Sequence, residues 1–207
     1  RMVALAVFEG HTANVTCVAL GEAVAASASN DKTVRVWPRD GRTESLATLT
    51  HPDRVGSVAV SGETLASGCA DGKVRTFSLA TFACTRTLEH GGWVFGLWLR
   101  GNVLASTNAF GSEQVLKVWQ LSDGGGECIT TLKHGDRDMG NPLVTPSGET
   151  IVSCAEEGES YSGKASLKIW RPRAANLPQP AANANLGQVE QAFARLERKM
   201  SEMQRRA

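Results

Sequence analysis

Four copies of one segment occupy most of the sequence, and this repeat limits the fold more than any other feature of the 207 residues. Each copy closes on an aromatic residue that follows alternating apolar positions, the period of a half-buried β-strand. The closing strands read TVRVW (33–37), KVRTF (73–77), VLKVW (115–119) and SLKIW (166–170). Such self-similarity predicts a repeat architecture.

The spacing inside the copies follows one pattern. A histidine precedes the closing aromatic by 26 residues in the first two copies, and by 29 and 36 residues in the last two. A serine inside an apolar run follows the histidine after 16 residues in three copies and after 19 in the fourth. The extra residues of the last two copies fall between two strands, so we expect lengthened loops at 107–114 and 155–165.

Turn residues divide each copy into four short strands. Small, glycine-bearing clusters such as Gly21-Glu22 and Ser61-Gly62-Glu63 stand between the first two strands and favour tight hairpins. After the aromatic residue, a polar connection leads to a further strand that ends in Thr-Leu-x-His. No helical period occurs in residues 1–171, so the sequence predicts an all-β domain there, with four four-stranded units.

The segment GHTANVTCVALGEAVAASASNDKTVRVW (10–37) resembles a WD40 repeat, with Gly-His, a Ser/Asp pair and a Trp in order. The resemblance extends over residues 2–171 and implies antiparallel blades of a β-propeller. Rings of this family typically have seven blades, so four copies imply an incomplete ring, the C-terminal part of a larger one. The alternative is a small closed ring in which residues 2–9 complete the last blade.

In this family the histidine, serine, aspartate and tryptophan of one repeat form a buried hydrogen-bond network, which suits their donors and acceptors. By resemblance, the network residues are His11, Ser27, Asp31, Trp37, His51, Ser67, Asp71, His90, Ser106, Trp119, His134, Ser153 and Trp170. The second copy has Phe77, which lacks an N–H group, in place of tryptophan. Since repeat position explains all four histidines, and no catalytic or phosphate-binding motif is found, we expect no catalytic residue, metal or cofactor.

One position of the repeat varies in chemistry. Three residues after each histidine, at the start of the first strand, stand Asn14, Arg54, Trp93 and Arg137. Structural positions of a repeat should agree, so this variation indicates a recognition rim, where Trp and Arg often anchor interfaces. The lengthened loops open on the same face and add candidate partner-binding residues: Asn108, Phe110, Glu156, Glu157 and Tyr161.

These observations predict a non-enzymatic scaffold that binds other proteins through this rim. The alternative is the substrate-recognition propeller of a ubiquitin ligase or kinase whose catalytic or adaptor domain lies upstream of residue 1. An incomplete ring would also expose apolar blade faces, which favours self-association.

Charge and cysteine content exclude several other classes of protein. Lys and Arg number 22 against 21 Asp and Glu, which is no basic excess for nucleic acid or an anionic membrane. The apolar stretches are too short to span a bilayer. Five scattered cysteines without a C-x-x-C pair indicate free thiols in a reducing compartment, the cytoplasm or nucleus.

The composition changes after the last repeat. Residues 172–187 are rich in Pro, Ala and Asn and predict a linker. In residues 188–207 the apolar positions 189, 193, 196, 200 and 203 follow a heptad spacing. The sequence therefore predicts an amphipathic C-terminal helix, for which a short coiled coil, packing on the propeller and fraying remain open.

Overall fold

A computed structural model describes residues 6–109, 114–123, 125–135, 142–144, 150–157 and 164–170. The described residues form β-strands and turns and contain no helix. The strands make four antiparallel sheets, three with four strands and one with three. The predicted all-β fold is confirmed, whereas the predicted linker (172–187) and helix (188–207) lie outside the described residues.

Each sheet is a meander of consecutive strands, which we call a blade. Blade 1 contains β1 (Val15–Leu20), β2 (Val24–Ser29), β3 (Thr33–Pro38) and β4 (Ala47–Thr50). Blade 2 contains β5 (Val55–Ser61), β6 (Thr64–Cys69), β7 (Lys73–Ser78) and β8 (Cys84–Glu89). Blade 3 contains β9 (Trp93–Arg100), β10 (Val103–Ala109), β11 (Gln114–Ser122) and β12 (Gly125–Gly135). Blade 4 contains β13 (Leu143–Val144), β14 (Ile151–Glu157) and β15 (Lys164–Trp170).

Tight turns join the first two strands of blades 2 and 3. Ser61 pairs with Thr64 and Arg100 with Val103, so only two residues remain in each loop. The first residue of each loop, Gly62 or Gly101, has a positive φ of 55° or 52°. That backbone conformation favours glycine, which explains the glycine in these turns.

The core lies between successive blades. On β3, Val34 and Val36 point away from the network residues and are fully buried in a cluster with Leu65 and Phe77 of blade 2. A second cluster joins blades 2 and 3, and a third joins Leu116 and Val118 to Ile151 of blade 4. Each blade therefore buries one face against the next blade, as stacked repeats must.

The longer third and fourth copies correct one detail of the sequence prediction. Their extra residues partly continue the strands instead of lengthening the loops, since β10 reaches Ala109 and β14 reaches Glu157. Glu157 pairs with Lys164 at the far end of this hairpin. Alternating side chains allow a hairpin to extend without disturbing the register nearer the core.

The chain divides into two compact units, residues 1–171 and 172–207. In the first unit, residues 6–10 precede β1 without belonging to a strand. In the alternative of a small closed ring, residues 2–9 would complete the last blade, but residues 6–9 form no strand in the structure.

Candidate functional site

The four predicted network side chains of blade 1 lie together. His11 donates from Nδ1 to Asp31 Oδ2 over 2.7 Å, and its Nε2 lies 2.7 Å from Ser27 Oγ. The indole Nε1 of Trp37 donates to the same Ser27 Oγ over 2.8 Å. The bonds therefore tie the segment before β1 to β2, β3 and the loop between them.

Asp31 supplies the carboxylate of this network. Burial alone would raise the pKa of its carboxyl group. Hydrogen bonds from Thr33 (Oγ1, 2.6 Å), His11 and the Thr12 amide (3.1 Å) outweigh that effect and hold the pKa well below its usual range. Asp31 therefore stays ionised, and its charge favours the His11 tautomer with hydrogen on Nδ1.

The order serine, histidine, aspartate resembles a hydrolase triad, but the surroundings differ. A nucleophilic serine needs an exposed Oγ next to a site for the substrate carbonyl. Ser27 is buried, and its Oγ is engaged by both His11 and the indole of Trp37. This geometry suits a structural bridge between strands.

Blade 2 builds the network differently. His51 keeps the bond from Nε2 to Ser67 Oγ (2.8 Å), but its Nδ1 lies 3.1 Å from the Leu49 carbonyl oxygen. Asp71 instead accepts from Arg75 over 2.6 and 3.2 Å, which corrects its expected pairing with histidine. Burial lowers the pKa of His51, so the ring stays neutral at neutral pH.

Blade 3 keeps the tryptophan–serine bond without an aspartate. Trp119 Nε1 donates to Ser106 Oγ over 2.8 Å, while His90 Nε2 lies 3.2 Å from the Ser106 carbonyl oxygen. Burial lowers the pKa of His90 too. In blade 4, Trp170 packs against the cluster around Ile151, whereas the side chains of His134 and Ser153 lie outside the described residues.

A recurring cation is part of this arrangement and was not identified from the sequence. It stands two residues before each closing aromatic and pairs across the sheet with the network serine. The pairs are Arg35 with Ser27, Arg75 with Ser67, Lys117 with Ser106 and Lys168 with Ser153. The cations of blades 1 and 3 lie 5.9 and 5.6 Å from the centres of the tryptophan rings, a cation–π distance. A basic residue two positions before the closing Trp or Phe was the sequence signal for it.

Backbone bonds hold the predicted rim positions against the neighbouring loop. The carbonyl oxygen of Asn14 accepts from the amide of Asn30, and that of Arg54 accepts from the amide of Ala70. Trp93 is paired with Ala109 at the equivalent place in blade 3. In blades 1 and 2 the start of the first strand therefore lies beside the loop that joins the second and third strands, and in blade 3 it lies beside the end of β10.

The rim side chains differ in their exposure to solvent. Asn14 and Arg54 are exposed, and Trp93 is half-buried. The Trp93 ring meets the exposed Phe95 edge to face, with centroids 5.8 Å apart. Phe95 was missed because its position, a bulge in the first strand, breaks the alternation that marks inward and outward residues.

The described part of the lengthened loops corrects the prediction for one residue. Asn108 is buried, and its Oδ1 accepts from the Val115 amide over 2.8 Å, so this predicted partner-binding residue holds the β10–β11 connection instead. The backbone of Glu156 and Glu157 belongs to β14, but their side chains lie outside the described residues. Arg137, Phe110 and Tyr161 lie outside the described residues altogether.

Among the described residues, no group of three His, Cys, Asp or Glu side chains is placed to hold a metal ion. The described ranges also contain no helix of the length and hydropathy that a membrane span requires.

Comparison with known proteins agrees with this geometry. The family model "WD domain, G-beta repeat" matches residues 2–38 and 43–78. A Xenopus laevis protein named "p21-activated protein kinase-interacting protein 1-like" is 26% identical over 144 residues, 69% of this chain and 39% of its own length. Coronin-7 of Rattus norvegicus is 38% identical over 169 residues, 70% of this chain and 18% of its own length. The chain thus spans well under half the length of the curated relatives it matches.

Two solved structures share the fold. The crystal structure of the computationally designed Ika4 protein superposes with a TM-score of 0.68 at 22% identity, covering 83% of this chain and 99% of that one. The designed Ika8 protein gives a TM-score of 0.67 at 22% identity, covering 81% of this chain and 49% of that one. With its repeated strand meanders, its serine-centred networks and these matches, the chain belongs to the WD40-repeat family.

Proposed function

We propose that this chain is a scaffold that binds other proteins through the rim formed by its first-strand starts and the adjoining loops. WD40-repeat proteins generally mediate protein–protein interaction. In the rim, side chains of different chemistry stand at equivalent backbone positions of successive blades. The observation that supports the proposal best is the set Asn14, Arg54 and Trp93. The same local pairing positions these residues, yet their side chains are unlike.

The rim combines features of protein interfaces. The Trp93–Phe95 pair provides an aromatic surface that is partly exposed, and such aromatic anchors contribute most when a partner covers them. Beside this pair the Arg54 side chain is exposed, while the Asp53 carboxylate lies 3.9 Å from Lys32 Nζ and accepts from the Arg54 backbone amide. A partner segment that carries an apolar side chain next to an acidic one would suit this surface.

One partner class follows from the relatives. Two of them, from Xenopus laevis and Danio rerio, are named for interaction with p21-activated protein kinase. At 26% identity over part of their length this supports a kinase as the first partner to test. A substrate-recognition propeller, the alternative function, would use the same rim.

The test compares binding of the full chain and of a double variant, Arg54→Glu with Trp93→Ala, to purified p21-activated kinase and to partners captured from cell extract. We expect binding to fall about a hundredfold, since both substitutions remove anchor-type residues. The matched control is Arg100→Glu with Trp98→Ala, which changes the same residue types at the other end of β9. Unchanged binding of every partner by the rim variant, with its thermal midpoint preserved, would refute the proposed rim.

A further inference from the structure

The turns that join the second and third strands of blades 1 and 2 have the same backbone. The carbonyl oxygen of Lys32, the last residue of the first turn, accepts from the His51 amide over 2.8 Å. That of Gly72, at the equivalent place in blade 2, accepts from the His90 amide over 3.0 Å. Both residues have a left-handed conformation, with φ of 69° at Lys32 and 81° at Gly72. The bond to the next histidine therefore fixes this conformation in both blades, whichever residue stands there.

The two residue types differ in how well they tolerate this backbone. Glycine adopts a positive φ without steric penalty, whereas the Cβ atom of any other residue meets the neighbouring carbonyl oxygen. Blade 2 thus has the residue that the turn favours, and blade 1 has lysine in its place. A side chain that stands in a costly conformation indicates a role beyond the local fold.

Core packing accounts for the other residue of this kind but not for Lys32. Within the described ranges, two residues other than glycine have a positive φ, Lys32 and Phe82. The Phe82 ring packs against the core cluster shared by blades 1 and 2, so the burial of its apolar surface offsets the strain. The side chain of Lys32 is 54% exposed and gains no comparable burial.

The contacts of Lys32 with its own chain are weak. Its Nζ donates to the Pro52 carbonyl oxygen over 3.3 Å and lies 3.9 Å from Asp53 Oδ1, on a carboxylate that is 48% exposed. An exposed ion pair at this distance contributes little to stability. Gly72 also shows that the same turn forms without any side chain at this position. These contacts therefore position the ammonium group more than they stabilise the turn.

The ammonium group lies on the rim. The turn adjoins Asn14, whose carbonyl oxygen accepts from the Asn30 amide, and Lys32 reaches the residue that precedes Arg54. Asp53 Oδ1 also accepts from the Arg54 backbone amide over 2.8 Å. The Arg54 side chain is exposed, and its guanidinium forms no ion pair with any residue that the structure describes. Two exposed cations thus share one carboxylate, and this part of the rim carries a net positive charge.

We propose that Lys32 is a specificity-determining residue of the rim, which binds a carboxylate side chain in an acidic segment of a partner protein. The inference rests on the proposed function, since it assigns a further residue to the same rim. A compact ammonium group on a flexible stem suits a single carboxylate as a point charge. Complementary charge of this kind selects between partner segments more than it adds affinity.

The first test separates this role from a structural one. Lys32→Gly gives the turn the residue that blade 2 uses, so the thermal midpoint of the full chain should stay the same or rise by up to about 2 °C. Lys32→Arg keeps the charge and should keep the midpoint of the unchanged chain. A lower midpoint for Lys32→Gly would show that the side chain stabilises the turn and would overturn the proposal.

The second test measures recognition without a known partner. Random peptides displayed on phage are selected on the full chain, and synthetic copies are measured by fluorescence anisotropy. The selected peptides should be rich in Asp and Glu. Lys32→Gly should weaken their binding about tenfold and reduce its salt dependence, whereas Lys32→Arg should restore both. Arg42→Gly is the control, because it removes an exposed positive charge beyond the other end of β3 and should leave affinity unchanged.

The outcomes distinguish this inference from the proposed function. Peptides that lose binding in the Arg54→Glu, Trp93→Ala double variant but not in Lys32→Gly would overturn the role of Lys32 and leave the rim intact. Selected peptides without an excess of acidic residues would also overturn it. Peptides that bind the double variant as well as the unchanged chain, or the selection of none, would refute the rim and this inference together.

Discussion

Asp31 and Asp71 stand at the same repeat position but hold different partners. Asp31 connects through His11 and Ser27 to the indole of Trp37, whereas Asp71 bonds to Arg75 and leaves His51 to the Leu49 carbonyl. We expect Asp31→Ala to lower the free energy of unfolding by about 2 kcal/mol, because it leaves buried donors unpaired.

The matching change in blade 2 provides the comparison. Asp71→Ala should cost about 1 kcal/mol, since the histidine there does not depend on the carboxylate and the arginine can turn towards water. Urea denaturation of the two variants measures the difference. Asp40→Ala serves as control, because that carboxylate is exposed and bonds only to Arg42. Equal losses of unfolding free energy at positions 31 and 71 would contradict this, because the two carboxylates would then contribute equally to stability.

Spacing along the sequence located the equivalent histidine and serine of the copies, because fixed strand register turns equal separations into equal positions. The resemblance to the WD40 family then implied that His11, Ser27 and Trp37 meet, as they do in blade 1. It could not show that Asp71 turns to Arg75, since both histidine and arginine are within reach of that carboxylate and local packing decides between them. Nor could it show that Asn108 is buried, because a longer hairpin is compatible with either an exposed loop or continued strands.

At the scale of the strand, the first strand of blades 1, 2 and 3 contains a bulge, and the residue at the bulge differs between the blades. Its residue is Thr16 in blade 1, Gly56 in blade 2 and Phe95 in blade 3. A Cβ atom added at Gly56 would lie 2.6 Å from the Val94 carbonyl oxygen and 2.9 Å from Trp93 Nε1. The absence of a side chain there lets blades 2 and 3 approach closely.

Gly56→Ala should therefore destabilise the domain by about 1–3 kcal/mol, because a backbone carbonyl cannot move aside without shifting its strand. The measurement is the urea midpoint, and Gly125→Ala is the control, since an added Cβ there meets no atom within 4 Å. A Gly56→Ala midpoint equal to that of the control would show that the two blades can separate at no cost.

At the scale of the whole chain, the repeat was enough to predict consecutive four-stranded antiparallel units, and three of the four described sheets have four strands. The sequence could not show which apolar positions are covered, because every apolar position of a repeat looks alike until its neighbour is present or absent. Val18 is 74% exposed, whereas the equivalent Val58 and Leu97 are 3% and 8% exposed because the neighbouring blade packs on them.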